Sequence, residues 1–539
     1  MGTDTRRFIL AFVLSIGVML AWTFFTKPQK QGAPAGSTPA SAAKPAEKPA
    51  AVSAPVAAPV AAAPAPGAPE ETASLAGEGF VATFSTWGGA LKDLTLTREK
   101  FRRREGTEYV PIDLVRIAEG QPYPLSLAVT PEGGKAEDAT AMARLPMRLV
   151  AHDDKAVTFE GELGGLQVRK TYRLTGKPYE LSLSVEAVGG SGGTVTLLYP
   201  TFMPPAARSG GFFSGPPLDF VRPICRAGQS TQRYEPKEGK EPARMAGEVQ
   251  WLGSDQHYFV TGVFPAEPEG ACVLATGPAK GSGLAALALP LDRARKAEFT
   301  VYAGPKELDT LKGYGRSFET AIDYGSVAQF FAWFARGLLY VMRWLHAFVR
   351  NWGASIILLT LLVRLVLFPL TYKSMQSMNE MRKLQPEIEK LKAKFGEDRE
   401  KLNLAVMQLY QQHKVNPLGG CLPMVLQMPI WFALYAALQT SVELYREPFL
   451  WIQDLTLKDP WYVLPAAMGV SSFLMQKLSP QPADNTQAKM MLYFFPVFFT
   501  FLMLQVPAGL TLYIFVNNLL SIIQQQVMMK KQVAAAPAR

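Results

Sequence analysis

Arg364 is the residue whose surroundings most demand a chemical explanation. It sits near the middle of "NWGASIILLTLLVRLVLFPLTYKSM", residues 351–375, which between Trp352 and Tyr372 is apolar and long enough to cross a bilayer. A cation at that depth costs about 2.5–3.5 kcal/mol on insertion scales. Two arrangements offset the cost. A carboxylate on another apolar segment can neutralise the guanidinium, or the guanidinium can reach water in a cavity and hold polar or acidic groups there. The other apolar segments carry almost no acids, with Glu443 at the outer edge of one, so the wet cavity is favoured. The chemistry is then electrostatic hosting of a transient guest.

Neighbouring residue types fit such a cavity. Thr360 precedes Arg364 by one helical turn and shares its face. Gln427, Gln439, Gln505, Asn517, Asn518 and Gln524 put polar groups into other apolar runs; for most of them interhelical hydrogen bonding is expected, and Gln427 is the one assigned to the cavity. Met424, Met428, Met490, Met491 and Met503 accompany Trp431, Phe432, Phe495, Phe498 and Phe499. Flexible thioethers beside aromatic rings suit varied apolar ligands, although for any single one of these residues a lipid-facing position is the expected one.

Bond-making chemistry has little support. The chain holds no GxxxxGK[ST] phosphate loop, so no nucleotide motor is expected. Its four histidines (His152, His257, His346, His413) are not at metal-ligand spacing, and no nucleophile elbow stands out. Neither an enzyme nor a cofactor is expected. Of three cysteines, Cys225 and Cys272 can form one disulfide if their region lies outside the cytoplasm, while Cys421 sits in an apolar run. The net charge of +10 invites a nucleic-acid reading, but the cations cluster beside apolar runs as cytoplasmic flanks do.

The elements that position these residues follow in order. Arg6 and Arg7 precede an apolar run, so 1–27 reads as an N-terminal membrane anchor, with a cleaved signal peptide as the rival. Residues 28–74, including "APVAAPVAAAPAPGAPEE", form an Ala/Pro-rich tether that cannot bury a core. From 75 to 320 the texture changes to short segments such as "AVTFEGEL", "LQVRKTYRL", "YELSLSVEAV" and "GTVTLLYP", each apolar at period two. They predict a large antiparallel β-sandwich. Residues 325–351 place Arg336, Arg343 and Arg350 seven apart among Phe, Leu and Trp, which predicts an amphipathic helix in the membrane surface.

Beyond it, 352–372 is the second span and 373–417 a charged helical hairpin, with Pro386 either starting or kinking its first helix. Further spans are expected at 418–441, 461–478, 490–506 and 509–528, with "VPAG" breaking the last two apart and a short tail at 529–539. Cations at Lys477, Lys489, Lys530 and Lys531 and acids in 442–460 orient the set. The prediction is an α-helical polytopic membrane protein of six spans, both termini cytoplasmic, with the β-sandwich in the periplasm.

Four segments carry a specific resemblance: "LLTLLVRLVLFPLTYKSMQSM", "NPLGGCLPMVLQMPIWFALY", "DPWYVLPAAMGV" and "VPAGLTLYIFVNNLLSIIQQQ". In this order and spacing the chain resembles the YidC family of bacterial inner-membrane protein insertases, strongly over 350–530 and by layout elsewhere. The resemblance implies a five-helix core enclosing a hydrophilic groove open to cytoplasm and lipid. Arg364 would attract polar or acidic parts of nascent membrane proteins, with Thr360, Gln427 and Tyr513 in the groove. Apolar segments would leave along Met428, Trp431, Phe432 and Phe499. The resemblance also implies cooperation with the Sec translocon and transient ribosome contact through the hairpin. At position 514, where some members carry a second aromatic, this chain has Ile514.

Two other classes compete. A secondary transporter could use Arg364 to bind a small anion, yet no internal repeat of the Arg-bearing span is present. A tethered carbohydrate-binding or mutarotase-like enzyme would account for the β-sandwich but not for Arg364.

Overall fold

The computed structural model describes residues 69–535 apart from 106–107, 132–141, 190–192, 204–219, 325–331, 397, 414, 416–421 and 479–485. The expected anchor at 1–27 and most of the tether lie outside these residues.

Two antiparallel sheets face each other. The larger has nine strands, in spatial order Ser230–Arg233, Val221–Ala227, Val249–Gln256, Phe259–Pro265, Lys296–Pro305, Glu180–Val188, Leu166–Leu174, Ala156–Leu163 and Arg148–His152. The smaller has five: Ala243–Ala246, Ala271–Thr276, Ser282–Pro290, Gly193–Phe202 and Ser126–Pro131. Alternation explains the layering, since every second side chain of a strand points to the same face. In Leu166–Leu174 the inward set is Leu166, Val168, Lys170 and Tyr172. Lys170 looks misplaced there, but its ammonium donates to the carbonyls of Gly88 (3.0 Å) and Leu125 (2.6 Å). Cys225 and Cys272, both fully buried, are joined as a disulfide that ties one sheet to the other.

A third sheet, Thr72–Gly77, Phe80–Ser85 and Ala90–Leu96, packs into the same core. Its first strand starts before residue 75, where composition placed the domain boundary; Ala73 and Leu75 alternate inward and so belong to the core.

A charged cluster is buried in the larger sheet. The Asp255 carboxylate bonds the Lys306 ammonium and accepts from Arg222 at 2.8 Å and Arg233 at 3.1 Å. Burial alone pushes its pKa up, but Lys306, Arg222 and Arg233 outweigh that and hold it down to about 2.

The helices follow: α1 Ala332–Val349, α2 Trp352–Lys383, α3 Gln385–Phe395, α4 Arg399–Gln412, α5 Leu422–Thr440, α6 Val463–Leu478, α7 Thr486–Met503 and α8 Ala508–Ala535. On α1, Ala335, Leu338, Leu339 and Met342 face the helical core, while Trp333, Tyr340, Trp344 and Phe348 are exposed. Arg343 pairs with Asp309 and Glu443. Arg350 lies past the end of α1 at positive φ, so it does not share the helical face of Arg336 and Arg343.

α2 also departs from expectation, running eleven residues beyond Tyr372 without a break. The change to Lys, Ser, Gln and Asn there alters what the helix faces, not whether it forms. Pro386 sits in the first turn of α3, where its missing N–H costs nothing. Asp398 caps α4 by accepting from the Lys401 N–H at 3.1 Å.

Among the described residues only α2, over Trp352–Met381, is long and apolar enough to cross a membrane on length and composition, with Leu492–Met503 a shorter apolar stretch. Helix α6 has 16 residues, and α8 is interrupted by Asn517, Asn518, Ser521 and Gln524–Gln526.

The β domain grips the loop between α5 and α6. The Lys100 ammonium donates to the Glu447 carboxylate (2.6 Å) and the Glu443 carbonyl (2.8 Å). Tyr445 donates to the Arg102 carbonyl at 3.1 Å, and its ring lies among Phe101, Tyr258 and Phe259.

Candidate functional site

Helices α2 and α8 meet at Arg364. Its Nε donates to the Asn517 side-chain oxygen at 2.8 Å, and a terminal nitrogen donates to the Asn517 carbonyl (3.1 Å) and the Ser521 hydroxyl (2.5 Å). Helical spacing makes this possible: Asn517 and Ser521 are four apart, so α8 presents both to the same side of α2. One turn further, the Gln524 amide donates to the Thr371 hydroxyl at 3.0 Å. One turn earlier on α8, the Tyr513 hydroxyl accepts from the Gln427 amide of α5 at 2.5 Å. The side chains at 513, 517, 521 and 524 thus form a polar seam along α8. Asn518 turns the other way and donates to Ser471 and Ser472 of α6.

The seam brings together Arg364, Gln427 and Tyr513. Thr360 is placed differently. It is 1% exposed and its hydroxyl donates to the Ile356 carbonyl on its own helix at 2.7 Å. A threonine in a helix commonly satisfies its hydroxyl this way, on the carbonyl one turn before it. Asn517 and Ser521 are the partners that sequence reasoning did not assign to Arg364, although their i, i+4 spacing on an apolar helix was the available signal.

All hydrogen-bond partners of Arg364 among the described residues are neutral. Amide and hydroxyl oxygens orient the guanidinium and offset part of its desolvation, but leave its net charge uncompensated. Such a group can attract a second, acidic or strongly polar partner.

The apolar candidates lie on α5 and α7. Trp431 stacks on Tyr435 with centroids 6.0 Å apart and meets Phe432 edge-on at 5.0 Å. Phe499 stacks on Phe495 at 5.5 Å, and both Trp431 and Phe499 pack against the helical core. Met428 lies on α5, and its side chain is outside the described residues. α7 packs against α6, whereas α5 packs against α1, α2 and α8. The far face of α7 exposes Tyr493, Phe494, Val497, Phe498 and Phe501, a surface suited to lipid.

Comparison with known proteins places the chain in a family. Residues 75–341 match the family described as YidC periplasmic domain, and 344–535 match 60Kd inner membrane protein. The membrane protein insertase YidC of Anaeromyxobacter dehalogenans (strain 2CP-C) is 68% identical over 539 residues, covering 99% of each chain. That of Citrifermentans bemidjiense is 37% identical over 544 residues, covering 97% of this chain and 99% of its own. A crystal structure of an active YidC insertase covers 85% of this chain and 94% of its own, at 19% identity and a TM-score of 0.37. These relatives carry the name of an insertase, not of a transporter or a catalyst. The chain belongs to the YidC family of inner-membrane protein insertases.

Proposed function

We propose that a cytoplasm-facing hydrophilic groove bounded by α2, α5 and α8 receives segments of nascent membrane proteins, and that their apolar parts leave past Trp431, Phe432, Met428 and Phe499 into lipid. The observation that carries this reading is the bonding of Arg364, whose partners are neutral and leave its charge to act on a guest. Moving polar groups through a bilayer is unfavourable mainly through desolvation. A polar seam part-way across shortens the dry distance, and partitioning of the apolar segment supplies the driving force at about 25 cal/mol per Å². No nucleotide is needed for such a step.

The same reading assigns six spans, five of them in the core, both termini to the cytoplasm, and the β domain and the 441–462 loop to the periplasmic side. It also includes work alone or with the Sec translocon, and transient ribosome contact through the α3–α4 hairpin, which lies in the 373–417 segment where nine Lys or Arg stand against six acids.

Site-specific photo-crosslinking to stalled nascent chains tests the groove. Probes at Gln427 are expected to capture short chains, and probes at Trp431 and Phe499 longer ones. Crosslinks that appear at Phe499 without ever passing Gln427, in folded protein with ribosomes bound, would remove the groove from the route.

A further inference from the structure

Beside the junction of the β domain with the 441–462 loop lies a cavity of about 710 Å³. One part of its wall is cationic: Arg102 and Arg103 from the Arg102–Glu105 strand, Arg116 shortly after its partner strand, and Arg446 and Lys458 from the loop. Against these five cations the lining offers one carboxylate, Asp454. That carboxylate is turned inward, accepting from both the N–H (2.8 Å) and the hydroxyl (2.6 Å) of Thr456. Arg446 is held in place, donating to the Glu99 carbonyl at 2.5 Å with its guanidinium 4.1 Å over the Tyr109 ring. Among the lining residues cations therefore outnumber carboxylates, with Arg446 held in place, which suits an anion rich in acceptor oxygens.

A second feature narrows the anion. The lining also includes Leu457 and Trp461, which are 42% and 70% exposed, and the same loop exposes Leu450 and Tyr462. Large apolar side chains left in the open at one edge of a cationic hollow are a poor fit to a small hydrated ion. They fit an amphiphile, with the phosphate in the hollow and the acyl chains along the edge. Trp and Tyr also collect where a bilayer meets water.

We propose that this cavity binds the phosphate headgroup of an anionic phospholipid at the outer face of the membrane. The proposal rests on the topology given above, which puts the 441–462 loop at that face. A bound lipid would brace the contact between the β domain and the helical core, because its headgroup would touch residues from both.

The test uses the full chain in mild detergent and counts bound lipid by native mass spectrometry, with dihexanoyl phosphatidylglycerol, dihexanoyl phosphatidylcholine and inorganic phosphate as probes. Phosphatidylglycerol is expected to bind in preference to the other two. Arg103→Gln and Lys458→Gln are each expected to weaken it about fivefold, the effect of one cation near an anionic headgroup. Lys458 is exposed on a loop, so its loss leaves the fold intact, and Lys312→Gln, away from the cavity, serves as the charge control with no expected effect. Equal binding of phosphatidylcholine, phosphate bound as tightly as the lipid, or undiminished binding in both cavity variants would overturn the proposal. The count involves no client protein, so it stands or falls separately from insertion activity.

Discussion

The Nε2 atom of His257 in the β domain lies 2.9 Å from the backbone carbonyl of Gln439 near the end of α5. A carbonyl only accepts, so this nitrogen carries a proton and donates it. Burial, with Lys306 nearby, pushes the His257 pKa down to about 4 from the ordinary 6.5. Between those values the unfolded chain binds a proton that the folded chain excludes. Stability linked to His257 is therefore whole above pH 6.5 and is lost as pH falls towards 4, by about 2 kcal/mol at pH 5. Asp113, pushed up to about 6 by burial, works in the opposite sense and gains stability on acidification. Unfolding midpoints at pH 7 and 5 should fall more steeply for the unaltered chain than for His257→Leu. Parallel slopes would show that His257 is not the group responsible.

Arg364→Lys keeps the charge but loses the fork that reaches Asn517 and Ser521 together, so partial insertion activity is expected. Arg364→Ala should impair clients with acidic translocated segments most, by about tenfold if one charge-assisted contact of ~1.5 kcal/mol is lost. The measurement is insertion into proteoliposomes of two clients that differ only in one acidic residue. Equal loss for both would make Arg364 a structural residue.

Asp255→Asn leaves Lys306, Arg222 and Arg233 gathered around a neutral amide. Breaking a buried pair from one side costs about 3–5 kcal/mol. Thermal unfolding of the full chain should drop accordingly, with protease sensitivity appearing first in the β domain. A drop no larger than that of an exposed pair such as Arg148–Glu160 would refute the estimate.

Helices α6 and α7 meet at Gly469, where an added Cβ would lie 2.1 Å from the Thr500 hydroxyl oxygen. Gly469→Ala should therefore destabilise by about 1–3 kcal/mol through overpacking. Adding Thr500→Ala removes the atom in the way and should recover most of the loss. If the double variant is no better than Gly469→Ala, the close approach is not what the glycine serves.

Much of the β domain was legible because alternation is a local signal. Ala156–Leu163, Leu166–Leu174, Glu180–Val188 and Gly193–Phe202 occupy the segments that period-two patterning marked. Their pairing was not legible, since Glu180–Val188 lies beside Lys296–Pro305 through contacts more than a hundred residues apart in sequence. Arg364 announced itself as a charge among apolar residues, whereas its partners depend on how α8 is rotated against α2, which no single segment encodes. Sharing a turn with Arg364 set the direction of the Thr360 Cβ but not the partner of its hydroxyl, which donates to Ile356 on its own helix. Hydropathy bounded a span at 352–372 but did not show where its helix ends, because it reports the surroundings of a helix while helix propensity continues through Lys383.

The continuity of α2 has a mechanical consequence. From Arg364 to Lys383 runs one uninterrupted helix, about 28 Å at 1.5 Å per residue, with α3 following after a single turn. Pro369 lies inside this length, and a missing hydrogen bond there provides a point of give near Arg364. The latch of Arg364 on Asn517 and Ser521 and the root of the α3–α4 hairpin are thus two ends of a single rod.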